Sequence, residues 1–204
     1  MSTADIIQWN CRGLRTSSEC LKVLMNRTNP RIICLQEIKL GNKNYNPGLN
    51  YSFYKSPLPV SAHAKGGTAI IVNKNTEHHL VNINTSLQAV AVRVLLDKFI
   101  TVCSLYLPDS FTMSEIENLV SQLPSPFLLV GDFNAHNPLW GGEVLDLEGR
   151  IVEDFIDNHH ISILNDGSFT YHNIYHNSKS AIDLSICSSS IFLDFTWWVD
   201  DHLN

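Results

Sequence analysis

No apolar stretch in this chain of 204 residues nears the roughly 20 that a membrane-spanning helix needs; "RIICLQ", "FITVCSLYL" and "FLLVG" are all short. The N-terminus, "MSTADIIQWN", lacks a basic start followed by an apolar core, so no secretory signal is expected and the nucleus or cytoplasm is the expected location. The five cysteines, Cys11, Cys20, Cys34, Cys103 and Cys187, are an odd number without a CxxC pair, which argues against a disulfide scaffold or a zinc ribbon. Most lie in or beside apolar runs and read as small buried hydrophobes. A glycine-rich phosphate loop is also missing, because "KGGTA" (65–69) precedes a strand instead of opening a helix. Basic charge is scarce: a net charge of −6 speaks against a protein that coats nucleic acid, but not against an enzyme with local basic groups. No linker-like or charged tract divides the chain, so a single domain over 1–204 is expected.

What the chain does have is an alternation of short strands and amphipathic helices. Apolar or alternating runs at 5–9, 31–36, 51–55, 68–73, 87–96 and 99–106 read as strands. In "LQAVAVRVLL" Val90, Val92 and Val94 share one face, with Ala91 and Arg93 on the other. Only Asp97-Lys98 separates that run from "FITVCSLY", which predicts an antiparallel hairpin. Helices are predicted over 17–28, with Pro30 as the stop, over 112–123, and around 149–159. Thr112 with Glu115 forms a capping box, and Ile116, Leu119, Val120 and Leu123 form one stripe. Hairpins mixed with helices predict sheets covered by helices, not a purely parallel doubly wound sheet.

The stretch "LLVGDFNAHNPLWGG" (128–142) is a buried strand that stops on Asp132 and Asn134. Alternation puts these two on one side and turns Phe133 away. Taken alone, Asp-Phe-Asn reads as a turn. The arrangement recurs, however. "IIQW" ends in Asn10, "IICLQ" runs into Glu37, "ITVCSL" ends in Tyr106, and "SAI" meets Asp183. Polar residues at several apolar strand ends are where α/β proteins gather their sites. Oxygen-bearing side chains there suit a hard cation, a water nucleophile or a phosphate.

The motifs "WN-CRG", "LQEIK", "SLYLP", "GDFNAHNPLWGG", "SFTY" and "SAIDLSI" follow an order that resembles the endonuclease/exonuclease/phosphatase superfamily. "GDFNAHNPLWG", "EGR" and "SAIDLSICS" resemble more specifically the endonuclease domains of non-LTR retrotransposons. The resemblance covers essentially the whole chain. It implies a four-layered α/β sandwich of DNase I-like type and Mg²⁺-dependent phosphodiester hydrolysis, with Mn²⁺ as the alternative cation. It also implies double-stranded DNA as substrate and a reverse transcriptase domain in the parent polyprotein. By the same resemblance Glu37 is a metal ligand, and Asn10 supports the metal and the neighbouring carboxylates. Tyr106 supports the phosphate or the water, Asp132 activates that water, Asn134 positions it, and Asp183 orients a histidine.

The family pattern places a Ser-Asp-His motif after the strand that follows "AIDLSI", whereas this sequence ends in "WWVDDHLN". Asp201-His202 offers a superficial match, but Asp200-Asp201 reads as the acidic turn before the motif. The last core strand and the catalytic histidine are therefore expected to be missing, with impaired activity and marginal stability. His136, Asn137, Arg12, Thr170 and Ser180 are candidate substrate-binding residues. For His136 and Asn137 a loop-satisfying role stands equally beside DNA contact, and for Thr170 and Ser180 a local hydrogen-bonding role stands beside it. Lys39 and Lys65 are further loop cations. Trp140 reads as a loop anchor, and the HxxxH spacing of His172 and His176 falls in a turn-rich tract unsuited to zinc. Two rival readings are a phosphatase or repair nuclease of the same superfamily, and a catalytically silent remnant that binds DNA or protein.

Overall fold

A computed structural model describes residues 6–57, 66–108, 110–173 and 178–200. Lys65, His176, Asp201 and His202 lie outside the described residues. The first half of the chain forms β1 (Ile6–Asn10), α1 (Ser18–Thr28), β2 (Ile32–Gln36), β3 (Tyr51–Lys55), β4 (Ala69–Asn73), β5 (His78–Val81) and β6 (Gln88–Leu95). The second half forms β7 (Phe99–Tyr106), α2 (Met113–Ser121), β8 (Phe127–Asp132), α3 (Leu147–Asn158), β9 (Ile161–Ile163), β10 (Tyr171–Asn173), β11 (Ser178–Ser180) and β12 (Asp183–Ser188).

Two mixed sheets carry the architecture. One has the order β1-β2-β4-β3 and the other β5-β6-β7-β8-β12-β9, while β10 and β11 form a separate ribbon. Pairing is parallel for β1 with β2 and for β7 with β8, and antiparallel elsewhere. The Asp97-Lys98 hairpin is present, with Leu95 opposite Phe99. Among the described residues β1 pairs only with β2 and so forms a sheet edge.

Three apolar layers follow from strand alternation and helix stripes. Val90, Val92, Val94, Ile100, Val102, Leu128 and Val130 of the larger sheet meet Ile32, Cys34, Ile70 and Val72 of the smaller one. The opposite face of the smaller sheet (Ile33, Leu35, Ala69, Ile71) is covered by Leu21, Leu24 and Met25 of α1. The opposite face of the larger sheet (Ala91, Cys103, Leu105, Leu129, Ile186) is covered by Ile116 and Leu119 of α2 and Val152 and Phe155 of α3. The result is the expected four-layered α/β sandwich, helix on sheet on sheet on helix.

Local chemistry explains the element boundaries. Thr112 and Glu115 form the predicted capping box at α2. α3 starts at Leu147, ahead of the predicted 149, because the Asp146 side chain accepts the Gly149 N–H and caps the helix earlier. β5 is an addition: "HHLV" is a short edge strand on β6 where no strand is predicted. Gly131 allows β8 to lie against β7, since a Cβ there would sit 1.9 Å from the Leu105 carbonyl oxygen.

Candidate active site

The surfaces of the two sheets that face each other change character along their length. On β1 the inward series is Ile6, Gln8, Asn10; on β2 it is Ile32, Cys34, Gln36; on β7 it is Val102, Ser104, Tyr106. β8 contributes Leu128, Val130 and Asp132, and β12, running the other way, contributes Cys187, Ser185 and Asp183. Each strand is apolar at one end and polar at the same opposite end. The polar ends open into a cleft of about 880 Å³ lined by Asn10, Arg12, Glu37, Asp132, Asn134, His136, Thr170, Ser180 and Asp183, among others.

Asn10 is the hub. Its Nδ2 donates to Glu37 Oε1 at 3.0 Å and to Asp132 Oδ2 at 2.7 Å, which ties the two sheets together at the cleft. Its Oδ1 accepts the Arg12 N–H at 3.2 Å, so Asn10 braces the carboxylates through its nitrogen. Glu37 Oε2 pairs with Lys39 Nζ at 2.6 Å. Asp132 Oδ1 accepts the Asn134 N–H at 3.2 Å, and Asn134 Nδ2 donates to the Leu107 carbonyl at 2.9 Å. Tyr106 lies beside Asp132 in register across β7 and β8 and so shares its face. Asp183 lies opposite Asp132 across β12 and β8 and accepts from Gln8 Nε2 at 3.0 Å.

The backbone is strained at the same place. Arg12, Glu37, Lys39 and Asn134 all have φ near +48°, in the left-handed region, and all lie just past the ends of strands at the cleft. Such conformations cost about 1–3 kcal/mol each and cluster where geometry serves a function.

The carboxylates differ in electrostatics. Burial raises the Asp132 carboxyl to about 6, aided by the Glu37 charge and opposed by hydrogen bonds from Asn10 and Asn134. Burial, then the Asp132 charge, raises Asp183 to about 7. For Glu37 burial also pushes upward, but hydrogen bonds from Lys39 and Asn10 and the charges of Lys39 and Arg12 outweigh it and hold the carboxyl below its usual range.

Among the described residues no group of three or more His, Cys, Asp and Glu side chains is placed to hold a metal ion. Glu37 is a partly exposed carboxylate at the cleft, held below its usual range. That donor chemistry fits a hard cation such as Mg²⁺, which binds through one or two carboxylates and completes its shell with water and phosphate oxygens.

The remaining predicted residues divide. Arg12 lies over the Tyr171 ring, 4.9 Å from its centroid, at the cleft. Thr170 Oγ1 accepts the Ile182 and Asp183 N–H groups and so serves a local structural role at the cleft wall. Ser180 pairs with Tyr171 across the β10–β11 ribbon. Asn137 departs from the substrate-binding expectation: it is 2% exposed, its Oδ1 accepts the Leu139 N–H, and its Nδ2 donates to Glu153. It braces the loop from inside. Trp140 anchors the same loop as expected, fully buried, with Nε1 donating to the Ala135 carbonyl. Sequence reading missed Gln8, which holds Asp183, and the Gln36–Ser104 bond (2.9 Å) that joins the sheets beneath the cleft. Polar residues two places before the ends of β1 and β7, and at the end of β2, were the available signal.

Comparison with known proteins bears on the fold and the family. The chain is 28% identical over 178 residues to the RNA-directed DNA polymerase from mobile element jockey of Drosophila melanogaster, a match covering 83% of this chain and 19% of that protein. It is 24% identical over 175 residues to the probable RNA-directed DNA polymerase from transposon X-element of the same organism, again covering 83% and 19%. It therefore spans about a fifth of the length of these curated relatives. In fold it is similar to the endonuclease domain of TRAS1, a telomere-specific non-LTR retrotransposon, with a TM-score of 0.81 at 20% identity, covering 97% of this chain and 91% of that one. The AP endonuclease LMAP from Leishmania major has a TM-score of 0.70 at 13% identity, covering 92% and 80%. Among the described residues no helix is long and apolar enough to cross a membrane. The endonuclease-reverse transcriptase family model matches residues 100–204, more than half of the sequence, and the chain belongs to that family.

Proposed function

We propose that this chain is a divalent-metal-dependent DNA endonuclease, a single domain over 1–204, that nicks duplex DNA for a mobile element. The observation that carries this reading is the Asn10 amide bonded at once to Glu37 and Asp132 at the mouth of the cleft. One carboxylate is ionised and accessible, the other buried and proton-avid. A phosphodiester hydrolase needs that division between charge compensation and proton abstraction.

In this mechanism Glu37 would hold Mg²⁺ or Mn²⁺, which would supply positive charge against the phosphodiester oxygens. Asn10 fixes the Glu37 carboxylate through its Nδ2. Asp132 takes the proton of the attacking water. Asn134, locked by Asp132 and Leu107, orients that water and donates to the phosphoryl group. Tyr106 contributes a phenol on the same face, and Arg12 attracts the DNA backbone at the rim. The exposed 3′ end would then prime synthesis by a reverse transcriptase domain, a role supported by the mobile-element relatives.

One observation favours a second reading. The Asp183 carboxylate is bonded to Gln8, where the family resemblance implies a histidine. A silent remnant that binds DNA without cutting would accommodate that partner. Incubating supercoiled plasmid with the chain and Mg²⁺ or Mn²⁺ separates the two. Nicked circles that vanish with chelator support the endonuclease. DNA binding that survives Glu37→Ala and Asp132→Ala, with no cleavage in either metal, selects the remnant.

A further inference from the structure

Among the described residues, His136 lines the cleft beside the carboxylate pair and is itself paired with Asp146. Asp146 gathers four contacts from three donors on its two oxygens. The His136 N–H reaches both Oδ1 and Oδ2 at 3.1 Å, His136 Nδ1 meets Oδ2 at 2.8 Å, and the Gly149 N–H donates to Oδ1 at 2.6 Å. Capping α3 needs only the last of these. The others fix the His136 backbone and ring together.

The packing is equally specific. A Cβ on Gly149 would stand 2.0 Å from the His136 carbonyl oxygen, so glycine is required for α3 to approach the loop this closely. Asn137 and Trp140 lock the following residues from inside. The loop is therefore rigid where His136 projects. The ring shares the cleft with Asp132 and Asn134 and is partly exposed. Because the carboxylate accepts at Nδ1, that nitrogen carries the hydrogen and Nε2 is left for the cleft. Among the described residues none bonds Nε2.

We propose that Asp146 positions His136 so that Nε2 donates to a DNA phosphate neighbouring the one that is cut. The inference rests on the DNA-directed reading above and extends it to a second, flanking phosphodiester. Asp146 holds the ring through Nδ1, and in the complex a proton on Nε2 lies between the ring and the incoming phosphate. His136 is then a substrate contact and Asp146 its positioning residue. A role limited to bracing the loop would leave Nε2 untouched by DNA.

The test uses a 12-base-pair duplex in chelator, so that binding is read without cleavage, with ¹⁵N spectra of the imidazoles. Addition of duplex is expected to move the His136 Nε2 resonance into the imidazolium range. His136→Gln should weaken duplex affinity about threefold to tenfold, the size of one charge-assisted contact, and lower the salt slope of binding by about 0.9. Asp146→Asn keeps a good helix cap and so should retain the circular dichroism of the wild type while losing affinity like His136→Gln. An unmoved Nε2 at saturating duplex, or an unchanged salt slope in His136→Gln, overturns the proposal. Plasmid nicking by the same proteins separates this result from the hydrolytic reading. A shifted Nε2 without nicking keeps the contact and removes the hydrolysis. Nicking with an unmoved Nε2 does the reverse, and a wild type that binds no duplex removes both.

Discussion

Glu37 and Asp132 are two carboxylates on one amide, and their environments oppose each other. Both accept from Asn10 Nδ2, yet Glu37 sits at the rim beside Lys39 while Asp132 is 4% exposed at the end of β8. The first is held below its usual pKa range, and the second is raised to about 6. In the proposed mechanism residue type does not divide the labour between cation binding and proton transfer; burial and neighbours do. Divergent environments around two linked titratable groups are a mark of acid–base assignment.

The largest effect should come from removing the proton acceptor. In Asp132→Asn cleavage is expected to fall about 10²–10⁴-fold, read as single-turnover nicking, with duplex binding retained. The same change should stabilise the metal-free protein. Because the folded state binds the Asp132 proton more tightly than an ordinary carboxyl at 3.8, stability is lost as pH rises from about 4 to about 6. Asp183 extends that loss towards pH 7. Asp132→Asn should therefore unfold at higher temperature than wild type at pH 7.5, by on the order of 1–3 kcal/mol, and match it below pH 4. Thermal melts across that range test the sign.

Removing the shared donor comes next. Asn10→Ala leaves two carboxylates without their bridge, so cation affinity or cleavage should drop about 10–100-fold, the usual loss for a supporting hydrogen bond at a metal site. Titration with Mn²⁺ followed by electron paramagnetic resonance measures the first. The smallest effect belongs to Lys39. Its ion pair with Glu37 is partly exposed, and such pairs contribute about 0–1 kcal/mol. Lys39→Met frees Glu37 Oε2 and should tighten Mn²⁺ binding less than about fivefold by the same titration. A loss of binding instead would mean that Lys39 organises the site.

Much of this contrast was legible in the sequence because apolar strands ended on Asn10, Glu37, Tyr106 and Asp132. The layers were legible too, since Val90, Val92 and Val94 alternate with Ala91 and Arg93 as the sheet faces require. Left-handed φ at Arg12, Glu37 and Lys39 was not, because those residue types carry no turn signature. Gln8 and Gln36 sit inside or at the end of apolar runs and singly carry no site signal, while the opposed sheet turns them inward. Asn137 next to His136 suggested a pair at the cleft; the loop instead turns one outward and buries the other. β5 was missed because four residues on an exposed edge show little periodicity.

The central claim is that the Asn10-bridged carboxylates form the hydrolytic centre for DNA. Nicking of supercoiled plasmid in Mg²⁺ by the wild type beside Asp132→Asn tests it most directly. The predicted result is chelator-sensitive nicked circles from the wild type and a rate lower by at least about 10²-fold from the variant, with equal duplex binding. Nicking by Asp132→Asn at the wild-type rate would contradict it.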